Sequence, residues 1–317
     1  MRQGRGYMHR FDEIPMTAQI LPLQFPVQKP RISVIMVSFM TGPALLEAIT
    51  AVINDPEIFE LVIVDNGNTY AARQKLSDLV TEHDKIRMLQ SHGNIGFAKG
   101  CNYGARMARG SHFLFLNPDA IIAPGTAMGL VEAGERLDSP WIVGGRLKDV
   151  NGNEQRGSRR GELTPKSALI SFTLLHKLPF FRSLHWENEP LPYEPIEVPV
   201  ISGACLMMSR ECFDMTGGFD EDYFLHVEDI ELCHRVRRMG GKVLFHPHAD
   251  VLHYGSTSAA RRQDIEFSKF RGFYRYFRNY SDKKWAKLLT TLAAPFMFVA
   301  VMGRAWYLVM RKAFLGN

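Results

Sequence analysis

Between Ile32 and Ile122, short apolar runs alternate with amphipathic stretches, and most runs stop at a polar cluster. Ile32-Ser33-Val34-Ile35-Met36-Val37 predicts a β-branched strand ending at Ser38-Phe39. Residues 43–53 predict a helix, with Leu45, Leu46, Ile49, Val52 and Ile53 as its apolar positions and Pro43 in the first turn. Leu61-Val62-Ile63-Val64 reads as a second buried strand, stopped by Asp65-Asn66-Gly67-Asn68. A polar helix follows over 70–83, and Ile86–Leu89 forms a third strand. After Asn94-Ile95-Gly96-Phe97, residues 98–109 suit a helix rich in small residues. Phe113-Leu114-Phe115-Leu116 is the fourth strand, and it runs into Asn117-Pro118-Asp119.

Strands alternating with helices predict an α/β fold built on a mostly parallel sheet flanked by helices. In such sheets the loops beyond the strands' carboxyl ends line the ligand crevice. Ser38-Phe39, Asp65-Asn66 and Asn117-Pro118-Asp119 belong to separate strands, and this topology brings them together. The second half has another texture. Residues 146–195 are polar, proline-rich and irregular, with Arg156, Arg159 and Arg160 clustered, and read as a variable flap. Val198–Met208 predicts a strand interrupted at Ser202-Gly203-Ala204. Residues 228–239 predict a helix closed by Gly240-Gly241. Lys242–Phe245 reads as a short strand, with His246, His248 and His253 beyond it.

The chain has 317 residues, 46% hydrophobic and 22% charged, enough for a sizeable core. Lys plus Arg number 38 against 33 acids, a formal +5, too mild an excess to point to nucleic acid. Cys101, Cys205, Cys212 and Cys233 form no C-x-x-C pair, which speaks against a disulfide framework and fits a reducing compartment. Residues 1–30 carry several prolines and lack the apolar stretch of a signal peptide, so they read as an extension. The charge excess concentrates near the C-terminus, where residues 261–287 interleave Lys and Arg with Phe and Tyr. Residues 288–310 are then almost wholly apolar, long enough to reach across a bilayer, with Pro295 and Arg304 as interruptions. A basic-aromatic segment beside an apolar helix suits anionic lipid headgroups. The alternative is a helix packed on the protein or on a dimer partner.

Each candidate for chemistry has a plainer reading beside it. Asp119 at a strand end can hold a divalent cation, which in turn holds a diphosphate, yet Asn, Pro and Asp also favour turns. Asp65 can accept hydrogen bonds from a base or ribose, or close an Asx-turn. The glycines of 94–104 let backbone approach a ligand or pack a helix tightly on the sheet. They match neither G-x-G-x-x-G nor a P-loop. Glu228-Asp229 can supply a general base or serve the helix dipole. Successive helical side chains diverge by about 100°, so only one of the two acids easily faces a substrate. A three-histidine zinc site from His246, His248 and His253 matches no standard spacing.

Taken in order, these segments resemble glycosyltransferase family 2 enzymes with the GT-A fold, and more narrowly their bacterial rhamnosyltransferase-like members. The resemblance spans about residues 31–260, with a nucleotide-sugar half at 31–122 and an acceptor half at 123–260, followed by the tail at 261–317. It rests on Ser38-Phe39, Val64-Asp65-Asn66, Asn94-Ile95-Gly96-Phe97-Ala98, Phe115–Asp119, Gly203-Ala204, Gly217–Glu221, Phe224, Val227–Cys233 and His253–Ser256. It implies that Ser38, Phe39 and Asp65 hold the nucleotide and that Asn94, Gly96, Phe97 and Asn102 lie along the nucleotide-sugar. It also implies that Asp119 and His253 bind Mg²⁺ or Mn²⁺, that Asn117 contacts the donor, and that Gly203 and Ala204 lie on the acceptor side. Asp229 of the Glu228-Asp229 pair would be the base of an inverting transfer. The departure is Asn117, where the full D-x-D motif has a carboxylate, although N-P-D is common in the rhamnosyltransferase-like group. The implied partners are a dTDP- or UDP-sugar and a lipid-linked or glycan acceptor, at the cytoplasmic face of the cell membrane. Competing expectations are a sugar nucleotidyltransferase, which would need a basic phosphate loop where Ser38–Gly42 stands, and a scaffold that has lost its chemistry.

Overall fold

The computed structural model describes residues 29–173, 178, 180–255, 257–281 and 283–315, with backbone only for Phe172 and beyond Gly303. Nearly all of the N-terminal extension, and Ser256 of the last motif, lie outside these residues. The chain runs β1 (Ile32–Ser38), α1 (Ala44–Asn54), β2 (Ile58–Asp65), α2 (Tyr70–Glu82), β3 (Ile86–Leu89), α3 (Phe97–Met107), β4 (His112–Leu116), β5 (Ala120–Ile122), α4 (Thr126–Glu135) and β6 (Trp141–Lys148). It continues through β7 (Arg159–Arg160), α5 (Pro165–Phe172), β8 (Ile196–Glu197), β9 (Val200–Ile201), β10 (Cys205–Ser209), α6 (Arg210–Thr216), α7 (Glu228–Arg238), β11 (Lys242–His253), α8 (Arg262–Asn279) and α9 (Lys284–Leu315).

The main sheet has the order β3-β2-β1-β4-β10-β6-β11-β5, with β8 paired to β11. β3, β2, β1 and β4 are mutually parallel, as the alternating pattern predicts. β10 then runs antiparallel between β4 and β6, β11 is parallel to β6, and β5 closes antiparallel on β11. The sheet is therefore mixed, but along this path only β10 and β5 oppose the common direction. The reversal of β10 matters for the site. Cys205 pairs with Leu116, so the start of β10 meets the carboxyl end of β4.

The two faces of the sheet build two cores by strand alternation. Val34, Met36, Leu61, Ile63 and Leu114 face the cluster that takes in α1 and α4. Ile35, Val37, Val62, Val64, Phe113 and Phe115 face the other, with α3 and α7. The glycines of α3 serve the packing reading. A Cβ on Gly104 would sit 2.6 Å from Ile35 Cγ2, and one on Gly100 would sit 2.8 Å from Val37 Cγ1. Tyr276 and Phe277 of α8 are buried in that same cluster, so the helix following residue 260 packs onto the sheet's core rather than as a detached tail.

The region read as a short strand and loose histidines is one long strand. β11 continues through His246-Pro247-His248 because a register break between His246 and Asp250 accommodates the proline. The flap at 146–195 also holds more structure than its composition suggests: the end of β6, β7 and α5, capped by Thr164 with a reciprocal Ser167 bond.

Candidate active site

A cavity of about 800 Å³ opens at the carboxyl ends of β1, β2 and β4. Phe39, Asn94, Gly96, Phe97, Asn117, Asp119 and His253 line it. Ser38 and Asp65 lie one layer behind, side by side in the parallel register. Asp65 Oδ1 accepts from the backbone N–H of Gly67 (3.0 Å) and Asn68 (2.8 Å) and from Asn68 Nδ2 (2.9 Å). That is the Asx-turn reading, and it leaves Oδ2 opposite Arg73 Nε at 3.6 Å. Asn68 ties the strand ends together, with its Nδ2 2.9 Å from Ser38 Oγ.

Asn102 departs from its expected place along the donor. Its Nδ2 donates to Phe219 O (2.8 Å), and its Oδ1 accepts from Phe219 N (2.8 Å). Both amide ends are spent on joining α3 to the Gly217-Gly218-Phe219 turn, and the side chain does not line the cavity.

Asp119 and His253 meet through the antiparallel pairing of β5 with β11, which sets His253 opposite Ala120. Asp119 Oδ1 lies 3.3 Å from His253 Nε2, and Asn117 Nδ2 lies 3.3 Å from the same nitrogen. Asp119 Oδ2 accepts from Thr257 Oγ1 at 2.9 Å. Burial opposes the charge on Asp119, but the bond and charge of a doubly protonated His253, together with the Thr257 hydroxyl, outweigh it and hold the carboxyl below its usual range. Gln155 grips His253 twice. Its Nε2 donates to His253 O (2.5 Å), so its Oε1 faces His253 Nδ1 (2.7 Å), which must then carry the proton. With Nδ1 protonated, the Nε2 lone pair points at a carboxylate oxygen. A cation between them completes that arrangement, as does a second proton. Gln155 lies in the segment read as a flap and was not identifiable from composition.

Among the described residues no group of three or more His, Cys, Asp or Glu could hold a metal ion. Among the described residues the expected cation ligands Asp119 and His253 therefore stand as a pair without a third such group. Two protein ligands suit Mg²⁺ or Mn²⁺ when the remaining positions go to phosphate oxygens and water. His246 and His248 sit at the bulge of β11, where His248 Nε2 meets Tyr193 O, and do not join His253 in a zinc site.

Asp229 lies in the first turn of α7, where Arg160 Nη2 donates to its Oδ2 at 2.5 Å and Gly203 N at 3.1 Å. Ala204 O accepts from Asn117 N at 2.9 Å. Gly203 and Ala204 thus link the base candidate to the cation turn, through the reversed β10. Glu228 is buried with its Oε2 unpartnered. Burial, and then the charge of Asp229, push its carboxyl well above the ordinary range.

Two features escape sequence reading. His226 (φ +67°) and Val227 (φ +75°) both adopt the left-handed region just before α7. This is costly for a β-branched residue and marks strain at the corner that aims Glu228 and Asp229. His226 lines the cavity, and burial, with the Lys269 charge second, lowers its imidazole to about 4. The loop after β11 and the first turns of α8 also form a cavity wall through Thr257, Arg261, Asp264, Ile265 and Lys269.

The crevice of this open α/β sheet thus carries an aspartate–histidine pair at a strand end, with an acid pair opening a later helix. The chain belongs to glycosyl transferase family 2, whose family model matches residues 33–216. The N-acetylglucosaminyl-diphospho-decaprenol L-rhamnosyltransferase of Mycobacterium tuberculosis is 28% identical over 249 residues, covering 72% of this chain and 77% of that protein. Rhamnosyltransferase WbbL of Escherichia coli is 24% identical, covering 66% of this chain and 77% of its own. The mannosyltransferase PcManGT from Pyrobaculum calidifontis, solved with GDP-Man and Mn²⁺, shares the fold with a TM-score of 0.55 at 16% identity, over 91% of this chain and 76% of that one. GalNAc-T7, solved with UDP, GalNAc and Mn²⁺, gives 0.57 at 17% identity over 81% of this chain, which spans 54% of that structure. The GT-A fold and the rhamnosyltransferase-like placement expected from the sequence are thus observed, and the chain is a glycosyltransferase.

Proposed function

We propose that this glycosyltransferase moves a hexose, with rhamnose the first candidate, from a dTDP- or UDP-linked donor to a hydroxyl of a lipid-linked glycan acceptor in cell-surface glycan synthesis. The transfer inverts the anomeric centre and is assisted by a divalent cation. One observation carries the reading: Asp119 Oδ1 and His253 Nε2 face each other at 3.3 Å in the wall of a nucleotide-sized cavity at the strands' carboxyl ends. A bound Mg²⁺ or Mn²⁺ would supply Lewis-acid stabilisation to the leaving diphosphate. Asp119 and His253 would hold it, with Gln155 fixing the imidazole. Asn117, being neutral, contributes a hydrogen bond to the donor in place of a second charge. Phe39, Asn94, Gly96 and Phe97 wall the donor, and Asp65 Oδ2 with Ser38 supports the nucleotide end. Asp229 takes the proton from the acceptor hydroxyl, so no covalent intermediate is needed.

The lipid-linked acceptor draws support from the acceptor named for the M. tuberculosis relative. It also draws support from α9. The segment Lys284–Gly303 has a mean hydropathy of 1.6 and is long and apolar enough to cross a membrane. Only 11% of its apolar window is buried, unlike a core helix. Leu288, Leu292, Phe296 and Val299 form an exposed stripe at helical spacing. Together with the basic and aromatic residues of α8 this fits attachment at the cytoplasmic face of the membrane.

The test uses the full chain in lipid nanodiscs with Mn²⁺, dTDP-rhamnose or UDP-hexoses, and an N-acetylglucosaminyl-diphospho-prenol acceptor. The expected result is a glycosylated lipid of inverted configuration, read by mass spectrometry and NMR. Asp229→Asn should abolish transfer while dTDP or UDP still raises the melting temperature, since ligand at 100 times its Kd stabilises by about 2.7 kcal/mol. Wild-type turnover in Asp229→Asn would remove Asp229 as the base. Pyrophosphate release from a nucleoside triphosphate would restore the nucleotidyltransferase reading.

A further inference from the structure

After β6 the chain turns at residues 149–153, and residues 154–160 run back alongside the strand's end. Gln155 N donates to Leu147 O (2.8 Å), and Ser158 Oγ accepts from Leu147 N (3.0 Å). Arg159, almost completely buried, forks onto Glu154 through Nε (2.9 Å) and Nη2 (3.2 Å) and donates to Glu189 O (2.8 Å). That buried ion pair clamps the two ends of the segment together. On either side of the clamp, Gln155 reaches His253 and Arg160 reaches Asp229.

We propose that segment 154–160 is a positioning strap for both reacting halves of the site: Gln155 presents His253 Nε2 to the cation, and Arg160 holds Asp229 as the charged member of the acid pair. The inference rests on the functional reading above. Its physical basis is that Glu228 and Asp229 are adjacent carboxyls in little water, where two negative charges are costly. Arg160 Nη2 donates to Asp229 Oδ2 and to Ile201 O (3.0 Å), and the Gly203 N–H is a second donor to Asp229 Oδ2. Glu228 Oε2 has neither. The remaining titratable groups facing the pair are His226 before α7, Cys233 one turn further on and Cys101 of α3, with Lys269 of α8 facing His226. None of them supplies Asp229 with a bonded cation. Divergence of the two environments is how neighbouring carboxyls acquire different roles. On the metal side, a hydrogen-bonded partner on the far nitrogen fixes a ligating histidine's tautomer and raises its basicity.

The two arms of the test separate. With the donor–acceptor pair that supports turnover, Arg160→Gln should lower kcat/KM and change its pH profile. Arg160→Lys, which keeps the charge, should restore much of both. Gln155→Ala should leave the acid limb in place and weaken Mn²⁺ binding about 10- to 100-fold, read without turnover by electron paramagnetic resonance of free Mn²⁺ in the presence of UDP. Circular dichroism melts identify any variant that fails to fold, and Gln155→Glu and Arg160→Lys serve as the milder replacements. An Arg160→Gln pH profile superimposable on wild type, or Mn²⁺ affinity unchanged in Gln155→Ala, overturns the strap. If Asp229→Asn retains wild-type turnover, the functional reading fails instead, which is a distinct outcome.

Discussion

Gly96 is the residue on which the cavity's geometry turns, and replacing it with alanine tests that directly. Gly96 has φ +87° and ψ 169°, a region open in practice only to glycine. Holding a side-chain-bearing residue there costs about 1–3 kcal/mol. A Cβ would also lie 2.8 Å from Phe224 O and 2.8 Å from Phe224 Cδ2. The ring can swing aside. The carbonyl cannot, because it accepts from Phe97 N at 2.7 Å, so backbone must move. Asn66 Nδ2, bonded to Gly96 O at 2.9 Å, would be dragged with it. The summed penalty is about 2–4 kcal/mol, within the range of strain plus overpacking. At about 2–4 °C per kcal/mol for domains of 150–250 residues, Gly96→Ala should melt about 4–16 °C below wild type. The Phe224 shift propagates into the strained His226-Val227 corner, so nucleoside diphosphate binding should weaken as well. Gly93→Ala is the control: its φ is +66° but nothing lies within 4 Å of the added Cβ. The measurement is a scanning fluorimetry melt of both variants in the same detergent, with UDP or dTDP titrations. Equal loss in the two variants would refute the close approach at Phe224 as the source of the constraint.

Two further outcomes follow from buried groups. Glu60 is fully buried in β2 opposite Ser33 of β1, where its Oε1 accepts from Ser33 Oγ (2.7 Å) and Arg109 N and its Oε2 from Arg109 Nε (2.9 Å). Burial opposes its charge, but these donors and the Arg109 charge hold its carboxyl below the ordinary 4.5. A lowered folded value gives stability that is present above the unfolded value and lost as pH falls through the folded one. Glu60→Gln should therefore cost about 1–3 kcal/mol at neutral pH, with the gap narrowing below pH 4.5; a gap independent of pH in urea melts would contradict the assignment. The four cysteines are buried, and burial pushes the Cys205 and Cys233 thiols up to about 12 and Cys212 to about 11. A disulfide-exchange reagent at pH 8 should label the native protein only after denaturant is added, and rapid labelling of the native fold would show that the core opens.

Much of this protein was written in local pattern. Apolar runs in β1, β2 and β4 alternate between two cores, so periodicity alone predicted strands, and turn residues marked their ends. That is why the strand ends carrying Ser38, Asp65 and Asp119 could be placed side by side from the sequence, although only Asp119 of the three lines the cavity. Helix α7 was equally legible from Glu228-Asp229 at its start and Gly240-Gly241 beyond its end. What the sequence left open were choices between equivalent partners. Asp65 offers an Asx-turn and a ligand contact, and the structure uses one oxygen for the first while leaving the other toward Arg73. Asn102 follows the lining residues Asn94, Gly96 and Phe97 in sequence, but it stands more than a helical turn further on and its amide bonds Phe219 instead. The direction of β10 and the continuity of β11 depend on pairing between strands far apart in the chain, which no local window contains. The same holds for Gln155 and Arg160. They stand in a segment with no periodicity, and their roles exist only because the folded chain carries them to His253 and Asp229. Local residue chemistry determined the elements and the kinds of groups at their ends; long-range pairing decided which of those groups meet, because contacts between distant segments arise only when the whole sheet closes.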